Sequence, residues 1–488
     1  MDLAIQSQVF VPELVDLGGS QEWIIRGGRD KFPLLPAAFK DIRQIGVIGW
    51  GSQAPAQAQN LRDSLKGTGI RVKVGLQAES QSIPKAIAAG FTFEDGTLGE
   101  MFKVIRESDL VLLLISDAAQ VELCIHVFSA IRPGATLGFS HGFLVGHMKS
   151  VGARWPRDIN VIGVCPKGMG PSVRRLYLQG QEVNGAGINS SFAVDQDIDG
   201  RATDIALGWA LAIGSPFVFQ TTLEKEYLSD LVGERSILLG AVYGIVEALF
   251  RRSVLANSGP ETAFINSVVA ITDQISPLIS RQGILAVFES LGDQRPTFLK
   301  IYANVYPLAQ ALLAEIYEEV ASGNEISSVI MAGERLKRIP MTKIGNTPMW
   351  LIGQGMRDRG ITCPQDIPVV TAAVYIAVMM AQIDLLMVKG HCVSEICNES
   401  VIEAVDSLNP FMRARGVSWM VDNCSRTARL GTRKWGPRWQ YAVEEALAAY
   451  DAGEVGDVQA ARQFGIHLIH GALATCAQFR PPVDIAVS

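Results

Sequence analysis

The chain has 488 residues, 43 Lys+Arg against 49 Asp+Glu for a formal net charge of −6, 48% hydrophobic residues and 19% charged ones. That is a core-rich globular protein long enough for two or three domains, which excludes disorder and fibrous repeats. An acidic balance without a long Lys/Arg run leaves no footprint for a phosphate backbone, so nucleic acid is not an expected partner.

Seven cysteines, Cys363 among them, are scattered without a Cys-x-x-Cys pair and read as reduced thiols of an intracellular protein. Residues 1–10 have neither a basic start before an apolar run nor an Arg/Ser-rich, acid-free stretch, so no targeting segment is expected and the location is cytoplasmic. The apolar run at 45–49, the helical stretch 56–65 and a second apolar run at 70–76 predict a βαβ opening. Short apolar strands follow at 110–115, 136–139, 161–165 and 217–219, separated by helix-length segments. This alternation predicts an α/β Rossmann-type N-terminal domain with a parallel, doubly wound sheet. After about 222 the pattern is helical, with segments at 236–250, 307–321, 371–388 and 394–408. The stretch 369–388 is apolar over a bilayer's length, but Gln382 and Asp384 sit inside it; it reads as a buried core helix, and no membrane partner is expected.

The segment Ile45-Gly-Val-Ile-Gly49-Trp50-Gly51-Ser52-Gln53-Ala54 is a G-x-G-x-x-A turn between strand and helix. Gly49 permits the turn, Gly51 lets backbone approach a pyrophosphate, and Ala54 allows close helix packing. At the end of the next strand stand Gln77, Ala78, Glu79, Ser80 and Ser82. The serines could donate to a 2′-phosphate, Glu79 could accept from a free 2′-hydroxyl, or the loop could be a solvated turn. Glu226, Asp230 and Glu234 stand four apart, as do Glu395, Glu399 and Glu403, so that each member of the first row has its counterpart in the second at the same displacement along the chain. Like charges four apart on one helix face repel, so each row needs solvent or a cation. Oxygen-only donors favour Mg²⁺ over Zn²⁺, and the equal displacement suggests two related helical lobes. His141 and Lys167 follow predicted strands, where ligand sites of open α/β sheets gather, and are placed for proton transfer or charge stabilisation near a nicotinamide; as a lone residue each is more often structural or surface. His467 and His470 lack a third ligand nearby and read as packing or surface.

Six ordered motifs carry a resemblance: 49–53 (Gly-Trp-Gly-Ser-Gln), 140–143 (Ser-His-Gly-Phe), 165–175 (Cys-Pro-Lys-Gly-Met-Gly-Pro-Ser-Val-Arg-Arg), 184–192 (Asn-Gly-Ala-Gly-Ile-Asn-Ser-Ser-Phe), 229–235 (Ser-Asp-Leu-Val-Gly-Glu-Arg) and 398–410 (Asn-Glu-Ser-Val-Ile-Glu-Ala-Val-Asp-Ser-Leu-Asn-Pro). Together they resemble the ketol-acid reductoisomerase family, in its long form of plants and some bacteria, from about 23 to 487. The resemblance implies an enzyme of valine, isoleucine and leucine biosynthesis that takes 2-acetolactate or 2-aceto-2-hydroxybutyrate to the 2,3-dihydroxy acid with NADPH and two Mg²⁺. It implies Asp230, Glu234, Glu399 and Glu403 as metal carboxylates, and His141, Lys167 and Glu226 as catalytic groups. Ser425 would meet the substrate carboxylate, with Leu238, Leu239 and Leu408 as the apolar wall. Gly49, Trp50, Gly51, Ser52, Gln53, Gln77, Ser80, Ser82, Asp117 and Gly170 would line the cofactor; Glu395 has no implied role. It further implies an all-α, knotted and duplicated C-terminal region, hence domains at 17–221, 222–360 and 361–488, and a homo-oligomer (dimer or tetramer). A plastid protein lacking its transit peptide is the alternative location. Two departures stand out: Ala54 replaces the usual Gly, and Gln77-Ala78 replace the Arg-Lys of the family's cofactor loop, which opens NADH as a possible cofactor. The runner-up is a 3-hydroxyacid-type dehydrogenase, which needs no metal.

Overall fold

The computed structural model describes residues 4–360, 366–479 and 481; Cys363 and the expected domain start at 361 lie outside them. Ten strands form one sheet: β1 Glu13–Leu17, β2 Ser20–Arg26, β3 Gln44–Ile48, β4 Arg71–Leu76, β5 Leu98–Glu100, β6 Leu110–Leu113, β7 Thr136–Phe139, β8 Asn160–Pro166, β9 Ser190–Gln196 and β10 Phe217–Gln220. Their order is β1-β2-β10-β9-β8-β7-β6-β3-β4-β5. The stretch β5-β4-β3-β6-β7-β8 is parallel throughout, the doubly wound order in which a dinucleotide lies across the reversal between β3 and β6. Strands such as β3, β6 and β7 are buried along their whole length because helices cover both faces.

The sheet is mixed where strand–helix alternation predicted a parallel one. β9 runs antiparallel to β8, and β2 antiparallel to both β10 and β1. The sheet also begins at Glu13, ahead of the expected domain start at 17. A signal for this hairpin exists: Gly18 and Gly19, at φ 67° and 96°, join two short runs in the left-handed conformation that hairpin turns require.

Beyond Gln220 the described residues form helices and no strands. Two series repeat there. Gly240–Leu255, Pro260–Phe264, Ile265–Ile275, Ser276–Gln282, Ile284–Ser290 and Arg295–Ala321 are matched by Val369–Val388, Val393–Cys397, Asn398–Leu408, Asn409–Arg415, Val417–Asn423 and Arg426–Asp451. The third member of each is an 11-residue π-helix, and the pair aligns Ile265 with Asn398. The repeat is therefore real, but its register is not the one that the acidic rows suggest, which would align Glu226 with Glu395. In the true register Glu399 and Glu403 correspond to Asn266 and Ala270, so the two rows are not copies of each other. The series interlock: the first helix of each packs against the long last helix of the other.

Three helix expectations shift. The segment expected at 307–321 is the end of Arg295–Ala321, which runs through Pro307. Proline removes the donor for the Ala303 carbonyl, and the Asp457 N–H replaces it at 2.7 Å. The helix expected from 236 begins at Gly240, leaving 236–239 as a turn. The helix expected at 394–408 is α-helical only through Cys397 and then π-helical, as often at functional sites. Val369–Val388 has the length and hydropathy of a bilayer span, yet 83% of its apolar window is buried inside the protein.

Candidate active site

A cavity of about 800 Å³ opens at the carboxyl ends of β3, β6, β7 and β8, against the helical region. Gly51, Ser52, Gln53, Asp117, His141, Gly170, Glu226, Asp230, Glu234, Leu238, Leu239, Glu403, Leu408 and Ser425 all line it. Residues from both the sheet domain and the far end of the helical region thus converge on one space.

At the nucleotide side, Gly49 has φ 109°, and a Cβ there would fall 2.8 Å from the Leu114 carbonyl oxygen. Only glycine fits that turn. A Cβ on Gly170 would meet the Ser52 carbonyl oxygen at 1.9 Å; this glycine lets the Gly170–Gln179 helix start against the glycine loop. Gln53 donates to the Gly168 carbonyl at 2.8 Å, bracing the same contact. Trp50 packs edge-on against Phe91. Asp117, first residue of the Asp117–Ala130 helix, accepts a hydrogen bond from Thr427 and so ties the sheet domain to the Arg426–Asp451 helix at the cavity wall. Gln77, Ser80 and Ser82 are not cavity residues; Gln77 is exposed, and Ser80 accepts from the Ser82 N–H at 3.3 Å.

The Leu223–Arg235 helix, capped by Thr222, carries Glu226, Asp230 and Glu234. Glu226 is 1% exposed. It accepts from the Gly142 N–H at 2.7 Å and pairs with Lys167 Nζ at 3.3 Å and His141 Nδ1 at 3.2 Å. Burial opposes its charge, but Lys167 and His141 outweigh that and hold it at about 2. Lys167 also reaches Glu399 Oε1 at 2.5 Å, bridging the two acidic helices. His141 stands 3.3 Å from Asp230 as well. The donor atoms of His141, Glu226 and Asp230 lie within 4.8 Å of one another, yet the two carboxylates raise the His141 pKa well above its usual value despite burial. The two carboxylates thus favour the protonated imidazole at this position.

In the remaining carboxylates burial outweighs the nearby cations. Burial first, and Asp230 second, push Glu234 up to about 8. Burial likewise raises Glu399, Glu403 and Asp230. Glu399 Oε2 and Glu403 Oε2 are buried without a hydrogen-bond partner among the described residues, a costly state unless a ligand completes it. All four donors are carboxylates, the donor set of a hard divalent cation. Glu399 itself sits behind the cavity lining, fully buried. Ser425 caps the Arg426–Asp451 helix by accepting from Ala428 N at 2.9 Å and donates to Glu234 at 3.1 Å.

Sequence reasoning missed Gln382 and Glu395 as site supports. Gln382 is fully buried. Its Oε1 accepts from Ser236 and from the Ile237 N–H, and its Nε2 donates to the Glu399 carbonyl and to Ser400 Oγ, each at 3.1 Å. It joins the 236–239 turn, which presents Leu238 and Leu239, to the backbone beneath Glu399. A polar residue amid the apolar run of its helix was its signal. His467 Nε2 bonds Asp384 at 2.9 Å and His470 the Phe464 carbonyl at 2.7 Å, which agrees with their reading as packing residues.

A sequence-family model described as "Acetohydroxy acid isomeroreductase, NADPH-binding domain" matches residues 40–216, and one described as "Ketol-acid reductoisomerase, C-terminal domain" matches 223–360. The chain belongs to the ketol-acid reductoisomerase family. The chloroplastic ketol-acid reductoisomerase of Spinacia oleracea is 56% identical over 99% of this chain and 83% of its own length. That of Pisum sativum is 55% identical over 100% and 86%. A ketol-acid reductoisomerase (NAD(+)) of Desulfosudis oleivorans is 33% identical over 70% of this chain and 96% of its own. Among solved structures, an NADH-preferring ketol-acid reductoisomerase from an uncultured archean superposes with a TM-score of 0.55 at 25% identity, over 66% of this chain and 95% of that one. The family resemblance, its long plant-like form and the enzyme class, an oxidoreductase of branched-chain amino acid synthesis binding a nicotinamide cofactor, are thereby shown.

Proposed function

We propose that the chain carries out the Mg²⁺-dependent alkyl migration and NADPH-dependent reduction of 2-acetolactate and 2-aceto-2-hydroxybutyrate. The products are 2,3-dihydroxy-3-methylbutanoate and 2,3-dihydroxy-3-methylpentanoate. The observation that carries this reading is the pair of unpartnered carboxylate oxygens of Glu399 and Glu403, buried opposite Asp230 and Glu234 beside a dinucleotide loop. Two Mg²⁺ held by Asp230, Glu234, Glu399 and Glu403 would supply stabilisation of alkoxide charge on adjacent substrate oxygens, and the bound nicotinamide would supply hydride. Ser425 is placed to meet the substrate carboxylate, and Leu238, Leu239 and Leu408 exclude water around its alkyl groups. Glu226 and Lys167 form a buried pair that holds charge in place, while His141 Nε2, without a partner among the described residues, can hand over a proton at the cavity wall. Absorbance at the nicotinamide band tests the reading. Oxidation of NADPH with 2-acetolactate should proceed with Mg²⁺ and stop on chelation; turnover indifferent to chelation would return the simple dehydrogenase.

The cofactor preference follows from the Gln77-Ala78 loop. Absence of a cation there forfeits a charge-assisted bond worth about 1.5–3 kcal/mol, or about 10- to 150-fold. The expected NADPH over NADH preference in kcat/KM is below about a thousandfold, and Gln77→Arg raises it by about tenfold or more. An unmoved ratio in Gln77→Arg would show that the 2′-phosphate is read elsewhere. Two relatives are named for NAD(+) or NADH, so use of the unphosphorylated cofactor occurs within the family.

Metal binding should release protons. Glu234, pushed up to about 8, and the raised Glu399 are largely protonated at neutral pH without a cation, and coordination requires carboxylate. Apparent Mg²⁺ affinity therefore rises with pH toward about 8 and levels above it. Calorimetry in two buffers of different ionisation enthalpy should give release of roughly one to two protons; a buffer-independent heat would contradict it. The chloroplastic names of the two plant relatives favour a plastid setting over the cytoplasmic expectation, which the comparisons do not support.

A further inference from the structure

We infer that Glu395 is a positioning residue: it locks the helix bearing Glu399 and Glu403 against the helix bearing Asp230 and Glu234, and so sets the spacing between the two carboxylate pairs. The inference rests on the metal reading of those four residues. Glu395 is 1% exposed and lies one helical step before Glu399 in the continuous run Val393–Cys397 and Asn398–Leu408. Ser229, between Glu226 and Asp230, donates to Glu395 Oε1, and Thr221, just before that helix, donates to Oε2 at 2.8 Å. Both carboxylate oxygens are thus spent on the neighbouring acidic helix and its lead-in.

Ser229 has one hydroxyl proton and other acceptors in reach, the Lys225 carbonyl at 3.1 Å and the Glu226 carbonyl at 3.2 Å. An ionised carboxylate outcompetes neutral carbonyls for it. On the far side, His391 Nδ1 stands 3.3 Å from Glu395 Oε1, and His391 Nε2 meets the Tyr317 hydroxyl at 3.2 Å. The start of the same helix is held by Glu22 of β2, which accepts from the Val393 and Ser394 N–H groups. The two acidic helices are therefore tied one turn apart, by Glu395 to Ser229 and by Lys167 between Glu226 and Glu399. Loss of the first tie leaves Lys167 and the Gln382 bridge beneath Glu399 to hold the two helices, and releases the start of the Glu399 helix from Ser229, which frees the unpartnered ends of Glu399 and Glu403 to shift.

The test uses the full-length protein and Mn²⁺ as probe, with dissociation constants from calorimetry, nicotinamide nucleotide affinity as a control and thermal midpoint as a measure of fold. Glu395→Gln should weaken Mn²⁺ binding about 10- to 100-fold, the range for groups that orient ligands without touching the metal, while nucleotide affinity stays within about twofold. Ser229→Ala should weaken it in the same direction, and the double variant should be no worse than Glu395→Gln alone, since both act through one bond. If Glu395→Gln does not fold, Ser229→Ala decides. Unchanged Mn²⁺ affinity in the folded variants, or strictly additive losses, would overturn the tie. Wild-type protein that binds no Mn²⁺ would overturn the metal reading itself, and this inference with it.

Discussion

Glu403→Gln is expected to lower kcat for 2-acetolactate by at least about a thousandfold, with nucleotide affinity unchanged, because charge developing on substrate oxygens would lose a cation holder worth several kcal/mol. The amide keeps the volume of the side chain, so the substitution leaves no cavity at this buried position. The substitution also removes a buried carboxylate that burial and Glu399 push well above its usual pKa. The sign for stability follows. A carboxyl whose pKa is raised in the folded state costs folding nothing below its unfolded value and opposes it progressively as pH rises from there to the folded value. Without Mg²⁺, Glu403→Gln should therefore be more thermostable than wild type at pH 8 and closer to it at pH 5. Added Mg²⁺ should stabilise wild type but not the variant. Activity within tenfold of wild type would remove Glu403 from the metal set.

Glu325→Leu is expected to destabilise the helical region by about 3–5 kcal/mol, the cost of breaking a buried ion pair by removing one partner. Arg235 ends the Leu223–Arg235 helix and is fully buried. Its Nε donates to Glu325 at 2.6 Å and its Nη1 to the Leu231 carbonyl at 3.1 Å. Glu325 in turn accepts from Lys434 and, at 3.0 Å, from Trp435 Nε1, both on Arg426–Asp451. Three helices far apart in sequence thus share one carboxylate. The double variant Arg235→Met with Glu325→Leu should recover most of the loss, since apolar groups of similar volume often replace a buried pair at little cost. Denaturant midpoints of the two singles and the double decide this; equal loss in single and double variants would show that packing, not the stranded charge, sets the stability.

Much of this is legible in sequence. The glycine loop, the parallel strands and the metal candidates follow from local patterns: strand-turn-helix punctuation and carboxylates four apart. The motifs bring His141, Lys167 and Ser425 to one site before any geometry. What escapes the sequence is long-range. The equal displacement between the acidic rows is numerically exact but physically accidental, because the repeat that the fold builds pairs the π-helices Ile265–Ile275 and Asn398–Leu408 in another register. Pro307 reads as a helix start, since nothing local reveals that the distant Asp457 satisfies the carbonyl that proline frees. The antiparallel β9 and the hairpin β1–β2 depend on sheet-edge pairing, although the Gly18-Gly19 turn announces the latter. Glu395 looks like a third ligand by spacing; its two oxygens are claimed by Ser229 and Thr221, which only the packed helices reveal.

The unequal repeats bear on heredity as well as on chemistry. Asn266 and Ala270 occupy the places that Glu399 and Glu403 hold in the second series, and Ala270 is fully buried. The first copy carries no carboxylate at these two places, so substitutions there are expected to be tolerated according to volume, while at the second copy they are expected to be tolerated according to charge. On the metal reading, the second series is the workplace and the first its scaffold. A reversal such as Ala270→Glu would create no second workplace, only a charge sealed in the scaffold.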